Sequence, residues 1–215
     1  MRRFIEIAEG VYYRGSRDEP KRTRRPSLSF TDDPDVASVY SADPGTGNYA
    51  LGSRVSKATF DLKNPLDFSQ SDEVSLSAAL NAVGIRDPLA HFEDVRKVVY
   101  FLWALDDKGV PFNFKLAGRR DWQELYRDLT KAAQDDEDGE IDDLLSWSFV
   151  DVYALADTKT YTRLAKQAGF DGMIYQDVFD GGSRMAKTLL GKTKPDRHLT
   201  YRPFGNIEWL PPSAR

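Results

Sequence analysis

Short segments of alternating residues lie near both ends of this chain, and the long stretch between them repeats its apolar side chains at helical spacing. This division constrains the fold most. A period of two builds strands, a period of 3.6 builds helices, and one segment does not serve as both. Residues 10–16, Gly-Val-Tyr-Tyr-Arg-Gly-Ser, read as a strand with Val11 and Tyr13 on one face and Tyr12 and Arg14 on the other. Residues 27–31, Ser-Leu-Ser-Phe-Thr, read as a second strand. Leu28 and Phe30 share its core face, and Ser27, Ser29 and Thr31 share a hydroxyl-rich face. A helix is predicted to begin at Asp32-Asp33-Pro34-Asp35 with Asp32 as its cap, because carboxylates suit the positive end of a helix and proline fits its first turn. Residues 43–53 read as a glycine-rich loop, 55–62 as a strand and 63–67 as a turn.

Between about residues 70 and 168 the spacing predicts helices. Phe92, Val95, Val99, Leu102 and Trp103 form one stripe, with Gly109 as its stop, and Trp122, Leu125, Tyr126 and Leu129 form another. A third helix is expected over 158–168, capped by Asp157 and ended by Gly169. Then come a short buried strand at Gly172–Tyr175, a long loop over 176–196 and one or two strands over 198–210. The sum is an α+β chain with strands at both ends and helices between. No linker-like stretch interrupts it. The expectation is one domain over residues 1–215, with the helices at about 70–168 inserted as a cap packed on the sheet.

Composition removes several chemistries. The chain has 215 residues and no cysteine, which excludes disulfides, a thiol nucleophile and thiolate metal sites. Its two histidines, His91 and His198, are too few for a multi-histidine metal centre, and no metal is expected. The net charge of −4 argues against non-specific nucleic-acid binding, although residues 17–25 are basic and 135–143 acidic. The basic run suits a phosphate-facing rim. No apolar run approaches a membrane span, and the N-terminal residues lack the long apolar stretch of a secretory signal, so a soluble, cytoplasmic protein is expected. No P-loop, G-x-G-x-x-G, H-E-x-x-H or G-x-S-x-G motif is present.

What remains is an ordered series: Tyr-Tyr-Arg-Gly-Ser-Arg at 12–17, Ser-Leu-Ser-Phe-Thr at 27–31 and Asp-Val-Ala-Ser-Val-Tyr at 35–40. It continues with Leu-Lys-Asn-Pro-Leu-Asp at 62–67, Ala-Gly-Phe-Asp-Gly-Met-Ile-Tyr at 168–175 and a closing segment from Arg202 to Ile207. Taken together, over about residues 9–68 and 160–210, the series resembles the ADP-ribosyltransferase superfamily, in particular its small bacterial and phage-type members. The resemblance implies a split antiparallel sheet with a helical insertion, NAD as co-substrate, and transfer of ADP-ribose to a macromolecular acceptor, a protein before a nucleic acid, with release of nicotinamide. By the same resemblance Tyr13, Arg14, Gly15 and Ser16, together with Phe30, Thr31 and Tyr40, would bind NAD. Arg14 would hold phosphate or ribose, Ser29 would buttress the site and Tyr40 would stack on the nicotinamide ring.

The third family element departs from the pattern. A glutamate is expected at the start of the late strand, where its charge would favour the oxocarbenium-like state. No glutamate lies between 141 and 207, and Arg197 or His198 falls at that place. Asp196 is the nearest acid, with Asp177 and Asp180 in the preceding segment, so Asp196 or His198 would serve the glutamate's role. The alternative is a catalytically inactive member of the same fold that acts as a binding or inhibitory module.

Overall fold

The computed structural model describes residues 10–16, 26–41, 55–106, 121–178 and 197–211. The chain divides into two compact units, one of residues 1–70 with 170–215 and one of residues 71–169. The loop at 43–53, the basic run, Gly109 and Asp196 lie outside the described residues.

The first unit is built on two three-stranded sheets. Strand β1 (Val11–Gly15) pairs antiparallel with β2 (Val55–Thr59), and β2 pairs antiparallel with β8 (Glu208–Trp209). In the other sheet β3 (Pro65–Phe68) runs parallel to β6 (Gly172–Val178), which pairs antiparallel with β7 (Arg197–Pro203). One two-residue segment links the sheets. Thr31 exchanges both backbone hydrogen bonds with Tyr13, at 2.7 and 2.9 Å, and Phe30 exchanges both with Tyr201, each at 2.9 Å. Tyr12, Leu28, Phe30, Ala58, Phe60, Leu62 and Ile174 form a buried cluster beneath this junction, with Tyr201, Ile207 and Trp209 against it.

Mixed α+β architecture with small, mostly antiparallel sheets agrees with the sequence. One pair departs from the expected split antiparallel sheet, because β3 and β6 run parallel. The whole second unit lies between them in the chain, and a parallel pair needs such a long crossover. Pro65 opens β3, where a missing N–H costs no ladder bond, so part of the expected turn is strand. Of the expected strand at 27–31, only Phe30 and Thr31 are bridged. The Ser29 carbonyl accepts the Arg14 guanidinium at 3.2 Å instead of a neighbouring backbone N–H.

Helix α1 (Pro34–Ser41) is capped by Asp33, not Asp32. The Asp33 carboxylate accepts from the N–H groups of Asp35 at 2.8 Å and Val36 at 3.4 Å, which places Pro34 at the first helical position. Asp32 is left to accept from the Tyr201 hydroxyl at 3.1 Å.

The second unit contains α2 (Leu76–Ala82), α3 (Phe92–Asp106), α4 (Trp122–Gln134), α5 (Asp138–Ser146), α6 (Val152–Asp157) and α7 (Lys159–Gln167). The stripes behave as their spacing requires: Val95, Val99, Leu102, Trp122, Leu125 and Leu129 are all buried. The short ribbon of β4 (Glu73–Ser75) with β5 (Phe149–Asp151) carries no sequence signal strong enough to predict it. Asp157 ends α6 rather than capping the next helix. Thr158 stands at that cap, with its hydroxyl turned back to the Ala154 carbonyl at 3.1 Å. Gly169 follows α7 with φ +89°, the left-handed conformation that favours glycine past a helix end.

Candidate functional site

The junction of the two sheets gathers the polar groups. β1 buries Tyr12, whose ring stacks on Phe60 at 4.1 Å and tilts against Tyr201 at 4.8 Å. Two residues on, Arg14 projects from the same face and its Nη1 donates to the Ser29 carbonyl. The Ser29 hydroxyl accepts from Arg202 Nε at 2.9 Å. Two arginines from strands far apart in sequence therefore meet on one serine. They differ in exposure: Arg14 is half-buried, whereas Arg202 is fully buried, with its guanidinium carbon 6.0 Å from the centre of the Tyr175 ring.

Alternation along β7 puts His198, Thr200 and Arg202 on one face, with Asp177 of β6 directly opposite His198. The Thr200 hydroxyl lies 3.3 Å from Asp177 Oδ2 and donates to it. Burial pushes the His198 imidazole down to about 4, even though Asp32 and Asp33 favour its charged form. At neutral pH the ring is therefore uncharged. It can donate or accept a hydrogen bond, but it offers no negative charge to a developing cation. Burial, and then the Asp32 carboxylate, push the Tyr201 phenol up, so it remains a donor.

The remaining predicted site residues are distributed as follows. Tyr13 is half-buried, with the Lys57 ammonium 5.9 Å from its ring centre. Gly15 pairs with Val55 at the end of β1, and Ser16 is buried. Phe30 sits in the core against Phe60 and Trp209, at 5.0 and 5.7 Å, where its contribution is packing. Thr31 is buried, and its hydroxyl accepts the Asp33 N–H at 3.2 Å at the entry to α1. Tyr40 lies on α1, but its side chain is outside the described residues. The structure thus brings Arg14 and Ser29 together.

Sequence reasoning missed Arg202 and Asp32 as part of this cluster. A signal for Arg202 was present: counting by twos from His198 reaches Thr200 and Arg202, a polar row on one strand face. Among the described residues no group of three or more histidine or acidic side chains is placed to hold a metal ion. No helix among them is long and apolar enough to cross a membrane. Comparison with protein-family models, with curated proteins and with solved structures gives no match to this chain.

Proposed function

We propose that the junction around Arg14 and Ser29 is the NAD-binding site of a mono-ADP-ribosyltransferase. The observation that carries this reading is the convergence of Arg14 and Arg202 on Ser29. Arg202 fixes the serine hydroxyl from within the fold. Arg14, only half-buried, is the member of the pair that a diphosphate or a ribose could reach from solvent. In the reaction the bond from the ribose anomeric carbon to the nicotinamide nitrogen breaks, nicotinamide leaves, and an acceptor nucleophile bonds to that carbon. Neutral His198 suits a hydrogen bond to a ribose hydroxyl. The carboxylate that favours the cationic state is assigned to Asp196.

Calorimetric titration of the full chain with NAD, and of Arg14→Ala, tests the binding step. Loss of a charged hydrogen bond should weaken binding by roughly 1.5–3 kcal/mol. Chromatographic assay of nicotinamide release with protein acceptors tests the chemistry. Undiminished NAD affinity in Arg14→Ala refutes the site. NAD binding without nicotinamide release, in the presence of acceptors, assigns the chain to the non-catalytic binding reading.

A further inference from the structure

Among the described residues of the helical unit Tyr100, Trp147 and Phe149 are the exposed aromatic side chains, and the last two form one corner. Trp147 is 77% exposed and Phe149 37% exposed, on either side of buried Ser148. Their backbone is held firmly. The Trp147 N–H donates to the Asp143 carbonyl at 3.0 Å, the Leu76 N–H donates to the Ser148 carbonyl at 2.8 Å, and the Ser148 hydroxyl donates to the Leu144 carbonyl at 2.7 Å. Val150, between Phe149 and the end of β5, is buried. The fold therefore fixes this corner while leaving its two largest apolar surfaces in water, which marks an interaction surface.

The rim of the corner states what covers it. Glu140, Asp143 and Trp147 follow one another at helical spacing along α5, and Asp142 and both named acids are exposed. Residues 132–158 contain nine acidic side chains and no lysine or arginine. Lys131, the cation acting on Glu137, lies at the other end of α5 from Trp147. Neighbouring acids raise Glu137, through Glu140, and contribute to raising Asp138. An anionic partner is repelled here. A symmetric pairing with a second copy would set the same acidic face against itself.

We propose that this corner, Trp147 and Phe149 with Glu140 and Asp143, docks an arginine-rich segment of a partner protein. Arginine fits better than lysine because its planar guanidinium stacks on an aromatic ring and pairs with a carboxylate through two parallel bonds. The corner belongs to the second unit and Ser29 to the first, and the proposal does not depend on NAD binding.

The test uses the full chain and a fluorescein-labelled octa-arginine peptide, followed by anisotropy at low salt and at about 0.3 M salt, where surface charge is screened. Binding is expected, with Trp147→Ala weakening it roughly two- to five-fold at either salt, the range of an exposed cation–aromatic contact. Glu140→Gln with Asp143→Asn should weaken it at low salt and flatten the salt dependence. Octa-lysine should bind more weakly than octa-arginine. Equal affinity of Trp147→Ala and the parent, at matched folded content by circular dichroism, overturns the proposal, as does absence of binding at low salt. Self-association of the parent that Trp147→Ala abolishes would give the surface to a second copy and overturn it too.

Discussion

Gly172 opens β6 opposite Pro203, and replacing it with alanine is the sharpest test of how this unit is packed. A Cβ at this position would lie 2.5 Å from Leu62 Cδ2, 2.8 Å from the Arg202 carbonyl oxygen and 3.3 Å from Pro203 Cα. The leucine methyl can rotate away at modest cost. The Arg202 carbonyl cannot, because the antiparallel ladder fixes β7 along its length from Val178↔Arg197 to Gly172↔Pro203. Relief requires the two strands to part where Arg202 is buried against Ser29. Overpacking of a well-filled site costs typically 1–3 kcal/mol, and a backbone obstacle places Gly172→Ala at roughly 2–3 kcal/mol. For a chain of this size the midpoint of thermal unfolding should fall by roughly 4–12 °C. The control is Gly139→Ala on α5, where a Cβ meets nothing within 4 Å. There alanine should stabilise by about 0.5–1 kcal/mol through helix propensity alone. Calorimetric melting of both variants decides the matter. A Gly172→Ala protein that melts with the parent would refute the close approach of β6 to β7.

Three further outcomes follow from the same geometry. Burial, with Glu73 and Asp72 beside it, pushes the Asp151 carboxyl up to about 6; a raised acid gives stability that is complete below its unfolded value near 4 and is lost as pH rises through 6. Asp151→Asn should therefore match the parent near pH 4 in chemical denaturation and exceed it above pH 6, by about 1 kcal/mol after allowance for solvent screening. His198, held down to about 4 by burial, has the opposite sign; the parent should lose stability as pH falls from about 6.5 towards 4, and His198→Gln should flatten that part of the urea-denaturation profile. Asp171 accepts from the N–H groups of Lys63 at 2.6 Å and Asn64 at 3.0 Å, so Asp171→Ala should lower the urea midpoint by an amount equivalent to roughly 1–2 kcal/mol.

The parts of the fold that could be read in the sequence are those where one physical rule acts alone. The stripes of α3 and α4 are long enough for periodicity to locate them, and their apolar residues are buried. β1 is legible for the same reason, with Tyr12 inward and Val11 outward. Expectations failed where two rules compete. Asp32 and Asp33 are equally good caps by residue type, and the choice fell to the Tyr201 hydroxyl, a partner 169 positions away. Lys-Asn-Pro reads as a turn, yet parallel pairing with β6 turns Pro65–Phe68 into a strand. The three-residue β4 and β5 strands are too short for alternation to separate them from the helices around them.

The site divides along the same line. Arg14 is reached by alternation along β1 and Ser29 by the alternating pattern of 27–31, although only Phe30 and Thr31 of that segment are bridged. The group that organises them is not local. Arg202 lies 173 residues from Ser29; alternation along β7 sets it on the face of His198 and Thr200, away from the exposed Arg197, but does not say what that face meets. Only pairing of β7 with Phe30 brings it beneath the serine hydroxyl. A fully buried guanidinium is costly unless it is held on several sides, so this arginine marks where the first unit concentrates its polar order. The half-buried arginine above the same serine then inherits a fixed platform. If the proposed NAD site is right, Arg14→Ala should lower NAD affinity without unfolding the junction, because the fully buried Arg202, not the half-buried Arg14, holds the Ser29 hydroxyl.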